Sequence, residues 1–218
     1  MKSKFKSFIN IINQNKLLVY SAVFFSFCVI FYSSSILFTL TKGPNSIPEE
    51  KVSTTVAEIE KNLKLDLQNN KKDDTNVDDG FKKSNVNLFI PKIGLNLGIL
   101  NGSEKVLEEG IWDKYPERFL QEKSNIVLSG HRFSIGLNPL GVERASPLLH
   151  ADKLEKGDSI YLISATKTVN YKIVNKFKVS KNGLWIMDNS ADKTMLTLYT
   201  CGEEGADGDR MVFRGEAV

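Results

Sequence analysis

Cysteine is scarce in this chain of 218 residues, which contains only Cys28 and Cys201. Cys28 lies in a long apolar run near the amino terminus, so the part expected to fold has one thiol and no internal disulfide. Histidine is equally scarce, with His131 and His150 only, and neither is grouped with other metal-ligating side chains. The acidic residues lack the spacing of a calcium-binding loop. No metal site is evident in the sequence, and no cofactor is expected.

The chain also lacks a strong excess of charge of either sign. Its formal net charge is +3, and Lys, Asp and Glu are interspersed along it. It has no basic stripe with interleaved aromatic residues, which is the usual footprint of nucleic-acid binding. Nucleic acid is therefore not expected as a partner.

Charged residues are absent from residues 17–40, an apolar stretch that fits the roughly 20 residues needed to cross a bilayer as a helix. Several lysines precede it and only Lys42 follows closely. Because positive flanks stay in the cytoplasm, residues 1–16 are predicted to be a cytoplasmic basic tail and 17–40 a single-pass anchor in the cell membrane. The remainder would then be extracellular. The alternative is a cleaved signal peptide, whose apolar region is shorter, about 7–15 residues.

Residues 41–85 are polar and rich in Lys, Asp, Asn and Ser, a composition that buries too little apolar surface to fold alone. We expect a stalk or linker here. Thr55 and Glu58 form a capping-box pattern within it, which predicts either a helix lying against the folded domain or the membrane, or a transient helix in a disordered stalk. Apolar residues at helical spacing accompany that pattern: Val52, Val56, Ile59, Leu63 and Leu67.

Residues 86–218 alternate short apolar segments with turns rich in Gly, Asn, Asp and Ser. Because no long helical pattern intervenes, we expect a mainly β fold, a closed or nearly closed barrel of about eight strands with short helices. The less regular section 133–155 is expected to contain a short helix around 146–152. The candidate strands are 87–91, 95–100, 125–130, 158–164, 167–176, 194–200 and 210–217.

The last fifth of the chain brings a thiol and a cation to adjacent strand ends. The apolar strand 194–200 runs into Cys201, and Arg210 follows after a short loop. The thiolate is the reactive form of cysteine, and it needs a nearby positive charge or base at neutral pH. His131 ends a second apolar strand and is a candidate for that base. Alternatively, Cys201 is an inert buried residue, as lone cysteines often are.

The segment Thr197-Leu198-Tyr199-Thr200-Cys201, followed by Arg210 in the last strand, resembles the TLxTC signature of the sortases. Sortases are cysteine transpeptidases that attach surface proteins to Gram-positive cell walls. Other segments similar to the family occur in consistent order along residues 86–218. They are 88–94, 110–112, 129–132 and 154–160.

The resemblance implies a sortase-type catalytic barrel over 86–218 and roles for three residues. Cys201 would attack a backbone carbonyl in a C-terminal LPxTG-like sorting signal and form a thioester. Arg210 would stabilise the oxyanion, with Arg214 as the alternative cation on the same strand face. His131 would protonate the leaving amine and later deprotonate an amine acceptor. The implied partners are surface proteins that carry the signal and an amine on a peptidoglycan precursor or a pilin.

The resemblance also suggests where substrate binds. Thr200 would contact the substrate, unless it is only a strand residue that alternates correctly. The loop 180–193 would line the substrate groove through Leu184, Trp185 and Ile186, unless Trp185 and Ile186 belong to the core.

Two other classes of protein stay open. One is a different extracellular cysteine acyltransferase, such as an L,D-transpeptidase, although that family's Ser-x-Gly-Cys context is missing because Tyr199 and Thr200 precede Cys201. The other is a membrane-tethered β-barrel binding module with a structural cysteine. In that case replacing Cys201 with serine would leave function and stability nearly unchanged.

Overall fold

The computed structural model describes residues 16–41, 46–69, 82–132, 145–189 and 192–218. The chain divides into two compact units, residues 1–42 and residues 43–218. In the first unit, helix α1 spans Lys16–Thr41. No helix in the described part of the chain is both long and apolar enough to cross a membrane. Most of the predicted basic tail lies outside the described residues, as do residues 42–45 and 70–81 of the predicted linker.

The described residues of the second unit form a closed barrel of eight strands and a long helix, α2, at Glu49–Asn69. The strands are β1 Lys82–Ile90, β2 Leu95–Asn101, β3 Ile111–Asp113, β4 Asn125–Ser129, β5 Ser159–Ser164, β6 Thr168–Val179, β7 Met195–Gly202 and β8 Gly205–Ala217. Around the barrel they follow the order β1-β2-β3-β4-β7-β8-β6-β5, and β5 pairs with β1 to close it. The β2–β3 and β4–β7 pairs are parallel, whereas the other pairs are antiparallel.

The prediction of a mainly β barrel of about eight strands is confirmed. The candidate segments overlap seven of the strands but miss β3, because three residues are too few for an alternating pattern to be recognised. The helix expected around 146–152 is only a 3-10 turn at Ala151–Lys153. Residues 133–144 of the irregular section lie outside the described part.

Aliphatic side chains from all the long strands fill the barrel interior, among them Leu88, Ile126, Leu162 and Leu198. All five residues of β4 are buried, as expected of a strand covered on both faces. Each fully buried aliphatic side chain contributes about 1.5–3 kcal/mol relative to leaving it exposed. The ends of β4 and β7 therefore project from a firmly packed body.

Helix α2 packs one face against the outside of the barrel. Ile59 and Leu63 are buried on that face and join Phe89 of β1 and Ile163 of β5 in a second apolar cluster. The spacing of the buried residues is the helical period seen in the sequence. Of the two alternatives for this segment, the structure has the helix that lies against the folded domain.

The folded part of the chain is therefore longer than the sequence suggested. Residues 49–69 and 82–85 were assigned to the linker, yet the first range forms α2 and the second begins β1. The apolar stripe is visible in the sequence, but a short isolated helix is marginal in water and becomes stable only when the barrel covers that stripe. The predicted capping box is wrong, because Thr55 lies inside α2 and donates a hydrogen bond to the Lys51 carbonyl at 2.9 Å. Thr168 of β6 also donates a hydrogen bond to the Glu60 carboxylate of α2.

Truncating the buried face of α2 should destabilise the domain. We expect Leu63→Ala to lower the free energy of unfolding of residues 43–218 by about 2–4 kcal/mol, since a buried leucine leaves a cavity. The matched control is Leu65→Ala, because Leu65 is 47% exposed on the same helix. It should change stability by less than about 0.5 kcal/mol. Equal urea midpoints for the two variants would contradict the packing of α2 on the barrel.

Strand β3 carries a buried carboxyl group. Asp113 is only 5% exposed, and its Oδ1 accepts a hydrogen bond from the Tyr115 backbone amide at 3.0 Å. Burial raises the pKa of Asp113 to about 6, and the neighbouring Glu117 adds to the rise, whereas the Tyr115 amide and Arg118 oppose it. The native state therefore holds this proton more tightly than the unfolded chain, whose carboxyl titrates near 3.8.

This raised pKa predicts a pH-dependent gain from Asp113→Asn. The ionised carboxylate costs stability, and this cost grows as pH rises from about 4 to about 6 and is complete above that range. Asn keeps the acceptor for Tyr115, so the variant should be about 2–3 kcal/mol more stable than the wild type at pH 7.5, and the gain should vanish near pH 4.

Urea unfolding between pH 4 and pH 8 measures this difference. The exposed Glu108 provides the control, because Glu108→Gln changes a surface side chain and should alter stability by less than about 0.5 kcal/mol. A loss of stability in Asp113→Asn at every pH would contradict the assignment of a costly buried charge.

Candidate functional site

The thiol and the cation identified in the sequence face each other across the β7–β8 ladder. Cys201 and Arg210 are register partners in this antiparallel pair. Both side chains are partly exposed. The Arg210 guanidinium donates a hydrogen bond to the backbone carbonyl of Gly208 at 2.9 Å, which keeps it near the β7–β8 turn. A fixed cation thus lies beside the only thiol among the described residues of the barrel.

His131 reaches the same place through the parallel pairing of β4 with β7. In that pair Ser129 lies opposite Tyr199, and one step further the buried Thr200 hydroxyl donates to the Gly130 carbonyl at 2.8 Å. His131 is the next residue, beyond the end of β4, and Cys201 is the next residue of β7. Parallel neighbours lie about 5 Å apart, so the two side chains emerge next to each other.

A cavity of about 310 Å³ opens at this point of the barrel. His131, Cys201 and Arg210 all line it. Its remaining wall comes from three places: β3 with the 3-10 turn at Glu104–Glu108, the ends of β4 and β7, and the segment that follows β6. Residues from these places include Glu104, Leu107, Trp112, Ser129, Tyr199, Lys181, Leu184, Ile186 and Met187.

The loop after β6 contains a 3-10 turn at Leu184–Met187, and its residues differ in what they face. Leu184 is 64% exposed and lines the cavity. Ile186 also lines the cavity, but it is only 1% exposed and packs in a small core with Val179 and Val212. Ile186 thus belongs to the core and to the cavity wall at once.

Trp185 is 54% exposed and is not part of the cavity wall. Its ring stacks on Phe177 of β6 with centroids 5.6 Å apart, and the Arg214 guanidinium lies 5.8 Å from its centroid. Neither predicted alternative, groove or core, describes this packing on the outer surface.

Thr200 lines the cavity but is only 2% exposed, and its hydroxyl donates a hydrogen bond to the Gly130 carbonyl. Its polar atom therefore joins the two strands that carry His131 and Cys201. A hydrogen bond to substrate would have to share this hydroxyl.

Arg214, the alternative cation, lies elsewhere, and so do His150 and Arg132. Arg214 is opposite Thr197, four residues along β8 from Arg210, and donates from Nη2 to the Ile186 carbonyl at 3.0 Å. Burial lowers the pKa of Arg214, and Asp188 offsets part of that effect. His150 lies in the turn before Ala151–Lys153 and not in the cavity wall. Arg132 is buried and forms an ion pair with Asp152 at 3.3 Å.

Tyr199 and Trp112 are cavity residues that the sequence analysis did not select as site residues. Tyr199 precedes Cys201 by two, so strand alternation could have indicated it. Burial raises the pKa of its phenol, and the facing Ser129 hydroxyl and Arg210 cation offset part of that rise. The Trp112 indole donates from Nε1 to the Gly102 carbonyl at 3.0 Å, which fixes the ring against the cavity. Trp112 lies in the family-like segment 110–112, but this segment is not among the candidate strands, so the sequence suggested no role for it.

The described residues contain no group of three or more His, Cys, Asp or Glu side chains that could hold a metal ion. One cavity brings together a partly exposed thiol, an imidazole and a guanidinium. This set suits acyl transfer through a cysteine nucleophile, with a cation near the developing oxyanion and a titratable base within the same space.

The family model of the Sortase domain matches residues 88–218, which is more than half of the chain. The protein therefore belongs to the sortase family. Over 130 residues the chain is 28% identical to Sortase A of Streptococcus agalactiae serotype III (strain NEM316), an alignment that covers 59% of this chain and 51% of that protein. It is 31% identical over 115 residues to Sortase D of Bacillus subtilis (strain 168), covering 52% of each. The chain thus spans about half the length of these curated relatives.

Solved structures agree on the fold. A Clostridium perfringens Sortase D5 transpeptidase is similar with a TM-score of 0.53 and 24% identity, over 76% of this chain and 97% of that one. Clostridium perfringens sortase C, determined with a C-terminal cell wall sorting motif, gives a TM-score of 0.52 and 23% identity, over 88% of this chain and 97% of that one. At these identities the likeness establishes the barrel fold alone.

Proposed function

We propose that this protein is a membrane-anchored cysteine transpeptidase that cleaves a C-terminal LPxTG-like sorting signal and transfers the acyl group to an amine. The observation that carries the proposal is the meeting of Cys201, Arg210 and His131 at one cavity. Membership of the sortase family supports it. The apolar wall formed by Leu184 and Ile186 supports recognition of an apolar residue in the signal.

In the first step the Cys201 thiolate attacks a backbone carbonyl of the signal. The S–C bond forms, the carbonyl oxygen takes the negative charge, and Arg210 stabilises that oxyanion because a guanidinium stays protonated. As the intermediate collapses, the C–N bond breaks and protonated His131 donates its proton to the leaving amine. The product is a thioester on Cys201.

In the second step an amine on a peptidoglycan precursor or a pilin attacks the thioester. The new C–N bond forms, the C–S bond breaks, and His131 takes the proton of the attacking amine. The thiolate is thereby restored. One hard acyl transfer is replaced by two easier ones, each of which uses the same oxyanion donor.

The proposed location follows from the first 40 residues. Residues 17–40 form an uncharged stretch that would anchor the protein in the cell membrane, with the basic tail 1–16 in the cytoplasm and the barrel outside. Residues 41–85, which include α2 and the start of β1, would connect the anchor to the rest of the barrel. The alternative is a cleaved signal peptide, in which case the mature protein would lack the amino-terminal residues, and its intact mass would distinguish the two.

The proposal predicts an acyl adduct on Cys201. Residues 43–218, mixed with a small pool of LPxTG-like peptides, should gain the mass of the amino-terminal peptide fragment, and an added amine should discharge it. The measurement is intact-mass spectrometry, and Cys201→Ala should gain no mass under the same conditions.

The same experiment tests the binding-module alternative. If no peptide forms an adduct and Cys201 also resists alkylation, the thiol is structural and the transpeptidase proposal fails. Peptide binding by the wild type without any thioester would support a binding module.

A further inference from the structure

Three consecutive backbone carbonyls in the loop after β6 are held by side chains of the barrel. They belong to Ile186, Met187 and Asp188, at the end of the turn that supplies the apolar wall of the cavity. Loop carbonyls commonly face water. Here each accepts a hydrogen bond from a side chain far away in sequence, so the loop is fastened to the body along this whole stretch.

Asn125, the first residue of β4, makes the most of these bonds. Its side-chain nitrogen donates to the Ile186 carbonyl at 3.0 Å and to the Asp188 carbonyl at 2.9 Å. Its side-chain oxygen accepts from the Thr197 hydroxyl of β7 at 2.7 Å. Its backbone amide donates to the Asn189 side chain at 2.9 Å. Asn125 is 1% exposed and Thr197 is fully buried, so water cannot replace these bonds.

Two arginines complete the attachment. Arg118 donates from Nη1 to the Met187 carbonyl at 2.8 Å and to the Asn125 carbonyl at 3.1 Å, and its guanidinium stacks on the Tyr115 ring at 3.8 Å. Arg214 of β8 donates a second hydrogen bond to the Ile186 carbonyl. The loop is therefore fixed to β4, to β8 and to the 3-10 turn at Pro116–Leu120.

We propose that Asn125 is a positioning residue that sets the apolar wall of the cavity and thereby the recognition of the peptide. This inference rests on the proposed function. Asn125 begins the strand that ends next to His131, and its partner Thr197 lies in the strand that ends at Cys201. One side chain thus relates the substrate-binding loop to both strands that carry the reacting groups.

The amide is the side chain that this position requires. It presents two hydrogens toward two carbonyls and one oxygen toward a hydroxyl, and every one of these atoms has a partner. An aspartate has the same shape and keeps the acceptor for Thr197, but its second oxygen would face the Ile186 and Asp188 carbonyls without a hydrogen. Asn125→Asp should therefore release the loop while the strands stay paired.

The test compares Asn125→Asp with the wild type in peptide cleavage, in alkylation of Cys201 by iodoacetamide and in amide hydrogen exchange of residues 183–189. We expect KM to rise by roughly tenfold or more with kcat within about threefold, because binding contacts and not the reacting groups are lost. The alkylation rate should stay within about twofold, and exchange in the loop should become faster.

Two further variants separate positioning from a general loss of stability. Ser164 closes the β5–β6 turn through hydrogen bonds with Lys167 and is absent from the cavity wall, so Ser164→Ala should leave KM unchanged. Arg118→Gln loses the hydrogen bond to the Met187 carbonyl at a less buried position, so it should raise KM by less than Asn125→Asp does. This second variant keeps the test valid if Asn125→Asp does not fold.

An unchanged KM in both Asn125→Asp and Arg118→Gln would overturn the proposal, as would an equal rise in Ser164→Ala. If the wild type cleaves no peptide, the proposed function fails, whereas faster loop exchange in Asn125→Asp would still establish that Asn125 holds the loop.

Discussion

The parallel pairing of β4 with β7 is the constraint on which the site depends. Five register pairs run from Asn125 opposite Met195 to Ser129 opposite Tyr199. Because the strands are parallel, both of their carboxyl ends leave the barrel at the same rim, and His131 and Cys201 follow there. The hydrogen bond from the Thr200 hydroxyl to the Gly130 carbonyl extends the pairing by one residue. This hydrogen bond is buried, so leaving the Gly130 carbonyl unpaired would cost about 1–3 kcal/mol. Arg210 joins them through the antiparallel β7–β8 ladder.

The other end of the same strand pair holds the loop that shapes the cavity. Asn125 and Thr197 are buried polar residues at positions where an apolar side chain would pack. They are tolerated because their side chains are hydrogen-bonded to each other and the Asn125 side chain is also hydrogen-bonded to the loop. Arg118 and Arg214 add charged donors to the same carbonyls. The reacting groups and the substrate wall are thus two consequences of one pair of central strands.

The sequence predicted the barrel and the Cys201, His131 and Arg210 group because each depends on local signals, namely short alternating strands and a recognisable motif. It did not predict which strands pair, so the roles of Tyr199 and Trp112 in the cavity wall were missed. The three residues of β3 carry no period. The apolar stripe of α2 is visible in the sequence, but the residues that cover it, Phe89 and Ile163, come from distant strands, so its packing could not be predicted. Trp185 could not be assigned because its partners, Phe177 and Arg214, come from two distant strands.

The proximity of His131 to Cys201 is tested most directly by a cross-link. Disulfides form when the two Cα atoms are about 4.4–6.8 Å apart, which neighbouring parallel strand ends satisfy. In residues 43–218, H131C should form a disulfide with Cys201 on mild oxidation, so that the intact mass drops by two hydrogens and neither thiol is alkylated. The control H150C should keep both thiols reactive, because His150 lies outside the cavity wall. If H131C also keeps two reactive thiols, the strand ends do not meet as described and the shared site is contradicted.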